Sequence, residues 1–128
     1  DSRVTFEHKH LTKIHIKYNS KEYALDKANF INNKYGNYVK AYYVNTNSIE
    51  IISNKTNKAK AIYWLIKFCN NVNKTNTYVI GDGYSDIEMV QEFNGYCMAD
   101  SVSKLKSIAI REYDSVSSLI KEILNSEK

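Results

Sequence analysis

Tyr78-Val79-Ile80-Gly81-Asp82-Gly83-Tyr84-Ser85-Asp86-Ile87-Glu88-Met89 is the stretch on which the reading of this chain turns. Thr77 to Ile80 is short and continuously apolar, as strands buried in a parallel sheet are. It runs straight into Gly81 and Asp82. In an open parallel sheet, ligands bind beyond the carboxyl ends of the strands, so Asp82 projects where a site would form. Gly81 and Gly83 are read as residues that let the backbone turn tightly and approach a ligand. A helix is predicted from about Ser85 to Phe93, with Asp86 at its start. Asp82 and Asp86 can then converge on one point, and two such carboxylates suit a hard cation such as Mg²⁺. The spacing alone is equally met by Asp82 opening a turn and Asp86 capping a helix.

Working outward, Asn57 can cap a helix to about Cys69, with Ala61, Ile62, Leu65, Ile66 and Cys69 on one face. Lys58 stands in its first turn, 24 residues before Asp82. A crossover between consecutive elements could bring that helix start to the same end of the sheet. A lysine there can neutralise a phosphate or a set of carboxylates; taken alone, it is one of many solvated lysines. Downstream, Gly95 to Ala99 reads as a strand and Ser103 to Ile108 as a short helix. Asp114 or Ser115 caps a last helix to about Asn125. Upstream the pattern differs. Lys13 to Tyr18 alternates as a strand, and Ser20 caps a helix from Lys21 to about Tyr35 that Gly36 ends. That helix carries Tyr23, Ala24, Lys27, Phe30 and Ile31 at helical spacing. Tyr38 to Val44 and Ser48 to Ile52 read as strands joined in a hairpin through Asn45, Thr46 and Asn47. The first part is therefore β-α-β-β, and the second alternates helix and strand as doubly wound α/β sheets do. The boundary is placed near Ser53 to Thr56.

The composition excludes several classes. With 128 residues, 43% apolar and 25% charged, the chain is neither disordered nor dependent on disulfides. No run of 18 apolar residues is present, so no membrane partner is expected. Asp1 to Lys13 is polar and mixed in charge, unlike a secretory signal. The net charge of +4 comes mostly from scattered lysines, whereas a nucleic-acid footprint is a dense stripe rich in arginine. Cys69 and Cys97 form no CxxC and read as reduced, buried core residues of a cytoplasmic protein.

The order Glu50-Ile51, then Lys58-Ala59-Lys60-Ala61-Ile62, then Val79 to Met89 resembles the C-terminal half of a haloacid dehalogenase (HAD) superfamily phosphatase of the Cof-like group. Lys58 matches the lysine that opens a helix in the family's third motif. Gly81 to Asp86 matches its fourth, GD-x-x-[ND]-D, with Ser85 in place of the common Asn. Gly95 to Ser101 is similar to the strand and small-residue turn that follow, and Leu105 to Ala109 to the next helix. The resemblance implies an α/β fold: residues 53–128 as the C-terminal half of a Rossmann-like parallel-sheet core, and residues 1–52 as the C-terminal part of an α/β cap.

It also implies an Mg²⁺-dependent hydrolase working through an aspartyl-phosphate intermediate on a small phosphorylated metabolite. Asp82 would be the principal metal ligand and Asp86 a second ligand or an orienter. Lys58 would stabilise the nucleophile and the transferring phosphate, with Ser85 beside it as a substrate-binding residue. The family's first motif, an apolar strand followed by Asp-x-Asp, is absent from these 128 residues, as is its second, a strand ending in Ser or Thr. The expectation is thus the C-terminal part of a longer enzyme, inactive without its N-terminal half. Three alternatives stand beside it: a phosphoserine-phosphatase-like branch of the same superfamily, a non-catalytic binding or regulatory domain, and a basic nucleic-acid-binding module. An unpaired central strand edge would invite homo-oligomerisation.

The remaining features read as structural. His8, His10 and His15 have no closed ligand set and are expected to be surface histidines. Tyr38, Tyr42 and Tyr43 are expected to be half-buried strand residues, and Trp64 a packing residue of its helix.

Overall fold

The computed structural model describes residues 12–127, and its contacts divide the chain into two units, Asp1–Thr56 and Asn57–Lys128.

In the first unit, β1 (Lys13–Lys17), α1 (Lys21–Tyr35), β2 (Val39–Val44) and β3 (Ser48–Ser53) follow in order. The sheet runs β1-β3-β2, antiparallel throughout, with Glu50 between His15 and Tyr42. The Ser20 hydroxyl accepts the Tyr23 N–H and starts α1. Ala24 and Ala28 bring the helix close to the sheet, against Ala41 and Ile49, with Ile16, Ile31, Tyr43 and Ile51 around them. The edge strand β2 is closed by a side chain: Asn32 donates to the Ala41 carbonyl at 2.9 Å and accepts its N–H at 2.7 Å. The outward N–H and carbonyl of Ala41 are thereby satisfied, at one point where a second chain could otherwise pair.

Several expectations for this unit change in detail. Tyr23 and Phe30 are exposed, with Lys27 over both rings, because the alanines face the sheet. Gly36 is right-handed, at φ −60°, and is not a left-handed cap. A side chain there would collide with the Asn32 carbonyl. Tyr42 is buried and Tyr43 half-buried, but Tyr38 lies outside the strand, exposed. His15 lies 3.6 Å from the Glu50 carboxylate, which also accepts from Lys13. His8 and His10 lie outside the described residues.

The second unit holds α2 (Lys58–Ile66), β4 (Ile80–Gly81), α3 (Ile87–Glu92), β5 (Tyr96–Met98), α4 (Ser103–Ile108), β6 (Glu112–Tyr113) and α5 (Val116–Ser126). Its sheet runs β4-β5-β6 and is parallel, pairing Gly81 with Cys97 and Met98 with Tyr113. Val79, Met89, Val90, Phe93, Cys97 and Leu105 form the core with Ala59. The Asn57 side chain caps α2 by accepting the Lys60 N–H, and Ser115 caps α5 by accepting the Ser118 N–H.

The inner face of α2 is Ala59, Ile62, Tyr63 and Ile66, one position round from the face expected. The helix stops at Ile66, and Phe68 and Cys69 close turns onto Leu65 and Ile66. Cys69 is therefore exposed, which overturns its reading as a core thiol; Cys97 is buried. Trp64 is 60% exposed and packs on Phe68 outside the core. The apolar run before Gly81 yields a strand of only two residues, because β5 pairs with it over a short stretch. The segment 84–93 is one tight turn, Tyr84–Asp86, followed by α3. Asn94, at φ 48°, ends α3, and the Gly95 N–H returns to the Val90 carbonyl at 2.7 Å. The two-residue β6 carries no periodic signal in the sequence.

Candidate functional site

Asp86 is the centre of the arrangement beyond the carboxyl end of β4. Its side chain is 5% exposed. One oxygen, Oδ2, accepts the N–H of Asp82 and that of Gly83, each at 3.0 Å. The other, Oδ1, accepts from the Lys58 ammonium. Burial alone would raise the Asp86 carboxyl above its ordinary value. The Lys58 bond and the two backbone N–H groups outweigh it, and the group is held below that value as a carboxylate. Asp86 is thus an internal brace that folds the Gly81–Asp86 segment into a loop and ties the start of α2 to it.

Gly81 makes this possible by its size. A Cβ there would run into the Asp86 side chain, 2.6 Å from Cγ and 2.8 Å from Oδ2. Neither Gly81 nor Gly83 has a positive φ, so the tight-turn reason for both glycines does not hold. At Gly83, φ is −119° and a Cβ would sit 4.0 Å from Asp86 Oδ2, in ordinary contact.

Asp82 is exposed. Its backbone is fixed on both sides: the N–H donates to Asp86, and the carbonyl accepts the Val102 N–H at 3.1 Å. Its carboxylate has no hydrogen-bond partner among the described residues. Ser85 is half-buried in the turn Tyr84–Asp86 and bonds to none of Lys58, Asp82 and Asp86. The fold therefore brings Lys58 and Asp86 into contact, sets Asp82 beside them facing outward, and leaves Ser85 in the adjoining turn. The strand before α2 is β3, which belongs to the antiparallel sheet, so the crossover rule is not what delivers Lys58.

Nothing in the sequence signals the tie from Val102, because a backbone donor carries no residue signature. The brace could have been found, because a glycine five positions before an aspartate, directly after an apolar strand, marks a place kept free of a side chain. Among the described residues no three His, Cys, Asp or Glu side chains are grouped to hold a metal. The outward Asp82 carboxylate still fits Mg²⁺, which takes one or two carboxylates and completes its shell with water and phosphate oxygens.

The family model for haloacid dehalogenase-like hydrolases matches residues 1–118. The chain belongs to that family. Solved structures share its fold. A putative HAD/Cof-like hydrolase from Plasmodium vivax is 19% identical, with a TM-score of 0.79 over 90% of this chain and 42% of its own. A protein of Streptococcus mutans is 22% identical, with a TM-score of 0.73 over 89% of this chain and 45% of its own. A HAD subclass IIB sugar phosphatase is 17% identical, with a TM-score of 0.67 over 77% of this chain and 40% of its own. The chain spans less than half the length of each. No curated protein matches it. No helix of the described residues is long and apolar enough to cross a membrane.

Proposed function

We propose that these residues are the C-terminal part of an Mg²⁺-dependent phosphohydrolase, with 1–52 contributing to a cap and 53–128 to the catalytic core. The reading rests above all on the buried Asp86 carboxylate, tied to Lys58 and to the loop that presents Asp82. Asp82 is the carboxylate offered to the cation. Asp86, with both oxygens engaged, acts as the orienter rather than as a second direct ligand. The Lys58 ammonium, 54% exposed in its side chain and bonded to Asp86, adds a fixed positive charge at this end of the sheet. Such preorganised charge is what phosphoryl transfer draws on. Bound Mg²⁺ would offset the charge of the phosphate and of the attacking carboxylate. Ser85 is assigned to substrate binding by its place in the motif.

The substrate class is a small phosphorylated metabolite, and the setting is cytoplasmic, in keeping with two unpaired cysteines. Neither the nucleophile nor its acid/base partner lies in these residues, so the 128-residue chain alone is inactive. Titrating Mg²⁺ into the chain while following the ¹³C carboxyl resonance of Asp82 should give a saturable shift. The Gly83 amide resonance should move with it, and that amide response should vanish in Asp82→Asn. No response in the native chain would remove Asp82 as the ligand. Hydrolysis of an aryl phosphate by the chain alone, lost in Asp82→Ala, would overturn the inactivity. Upstream coding sequence should carry an apolar strand followed by Asp-x-Asp; its absence would leave a binding domain.

A further inference from the structure

We infer that Val102 is a positioning residue for Asp82 and acts through its backbone N–H. This rests on the reading of Asp82 as the cation-facing carboxylate. Asp82 stands between two glycines, so its loop has little conformational preference of its own. One side of the loop is fixed by the Asp86 carboxylate, which takes the N–H groups of Asp82 and Gly83. The other side is fixed by the bond from Val102 to the Asp82 carbonyl. With the carbonyl released, the Asp82–Gly83 peptide plane would be held at one end only, by the Gly83 N–H on Asp86, and could rock about that bond and loosen the direction of the Asp82 side chain.

Val102 is itself well anchored. The Ser101 N–H donates to the Met98 carbonyl at 3.0 Å, which sets the turn directly after β5. The Val102 carbonyl accepts from Leu105 at 3.0 Å and Lys106 at 3.3 Å, starting α4. Leu105 is fully buried, and the Val102 side chain packs against the same core. β4 and β5 are adjacent parallel strands, so their two carboxyl-terminal loops leave the sheet side by side. The β5–α4 turn is thus a rigid arm that holds the Asp82 loop from the neighbouring strand. The part of Val102 that matters is a donor that no side-chain substitution removes, except proline.

Proline suits the test, because Val102 already has φ −59°. Val102→Pro deletes the N–H, while Val102→Ala keeps it and trims the packing. In Val102→Pro the backbone order parameter at Asp82 should fall from about 0.85 to below 0.6, and the Mg²⁺ concentration needed for half the Asp82 shift should rise at least tenfold. Val102→Ala should leave both unchanged. A folded Val102→Pro chain with unchanged order at Asp82 would overturn the inference. Should that variant not fold, the native chain decides: a through-hydrogen-bond coupling between the Val102 nitrogen and the Asp82 carbonyl carbon supports the arm, and its absence sinks it. A native chain whose Asp82 ignores Mg²⁺ would sink the proposed metal role, while the order parameters would still decide the arm.

Discussion

The two units hold themselves together in different ways. The first has strands of five and six residues, paired along their whole length, and a helix laid on them through alanines. Its backbone bonds are a regular ladder, and charged contacts such as Lys13 with Glu50 are partly exposed. The second has strands of two or three residues. Much of its order beyond the core lies in loops: the Asp86 brace, the Val102 tie and the return of Gly95 to Val90. A long ladder spreads stability over many equivalent bonds. Short strands concentrate it in a few particular ones, and here two of them, the Asp86 brace and the Val102 tie, are also the candidate site. Substitutions at the site should therefore act as stability mutations of the second unit and leave the first alone.

The largest effect should come from the ladder side. Ile49 is fully buried under α1. Ile49→Ala should cost the first unit about 3 kcal/mol, the transfer loss plus an unfilled cavity. Amide hydrogen exchange should show the loss in β1 to β3, with the Asp86 carboxyl resonance unmoved. Equal loss of protection in β4 and β5 would show one cooperative structure instead of two.

On the other side, Gly81→Ala should cost the second unit about 2 kcal/mol, as overpacking does. The new methyl must displace Asp86, so the N–H groups of Asp82 and Gly83 should also lose protection. Gly83→Ala is the matched control. It has room for a Cβ and an ordinary φ, and should stay within about 0.5 kcal/mol of the native chain. Equal costs at the two glycines would show that backbone freedom, and not space for Asp86, is what position 81 requires.

The contrast also explains what the sequence disclosed. The first unit was legible because alternation over KIHIK and SIEII, a serine cap and a three-residue link are local signals. In the second unit the motif announced Lys58, Asp82 and Asp86, but not what binds what. The inner face of α2 was misread because Leu65 and Cys69 are apolar by type and lie outside the core by geometry. Glu112 and Tyr113 form a strand only because β5 pairs with them, a decision taken outside the segment. The Val102 tie is backbone to backbone and has no residue type to read.

A smaller effect separates the units by pH. The Asp86 carboxyl is depressed in the folded chain. Its contribution to the second unit is present above the ordinary aspartate value of about 3.9 and is lost as pH falls through the lower folded value. Lys58→Met removes the bonded ammonium and leaves burial opposed only by two N–H groups. The Asp86 pKa should rise, and acid loss of protection in the second unit should begin at higher pH. With the lysine side chain half exposed, the cost at neutral pH should be about 1 kcal/mol. An Asp86 pKa unchanged by Lys58→Met would mean that the backbone N–H groups hold the carboxylate unaided.

The smallest effect should be a gain. Thr46 sits in the β2–β3 turn at φ 71°, and Asn47 follows at 58°. Asparagine tolerates this left-handed conformation, as position 47 illustrates, whereas a β-branched residue is strained there. The ladder on both sides sustains that strain: Val44 pairs with Ser48 directly across the turn, and the Ser48 hydroxyl donates to the Thr46 carbonyl at 3.2 Å. Thr46→Asn keeps that carbonyl and removes the branch, so it should stabilise the first unit by about 0.5–1 kcal/mol. Glycine would relieve the same strain but give the unfolded chain more freedom, so it should gain less. The readout is the denaturant midpoint of β1 to β3 protection, which should rise while that of the second unit stays fixed. A fall in that midpoint would show that the Thr46 side chain supports the turn, and that even the ladder unit depends on one particular loop.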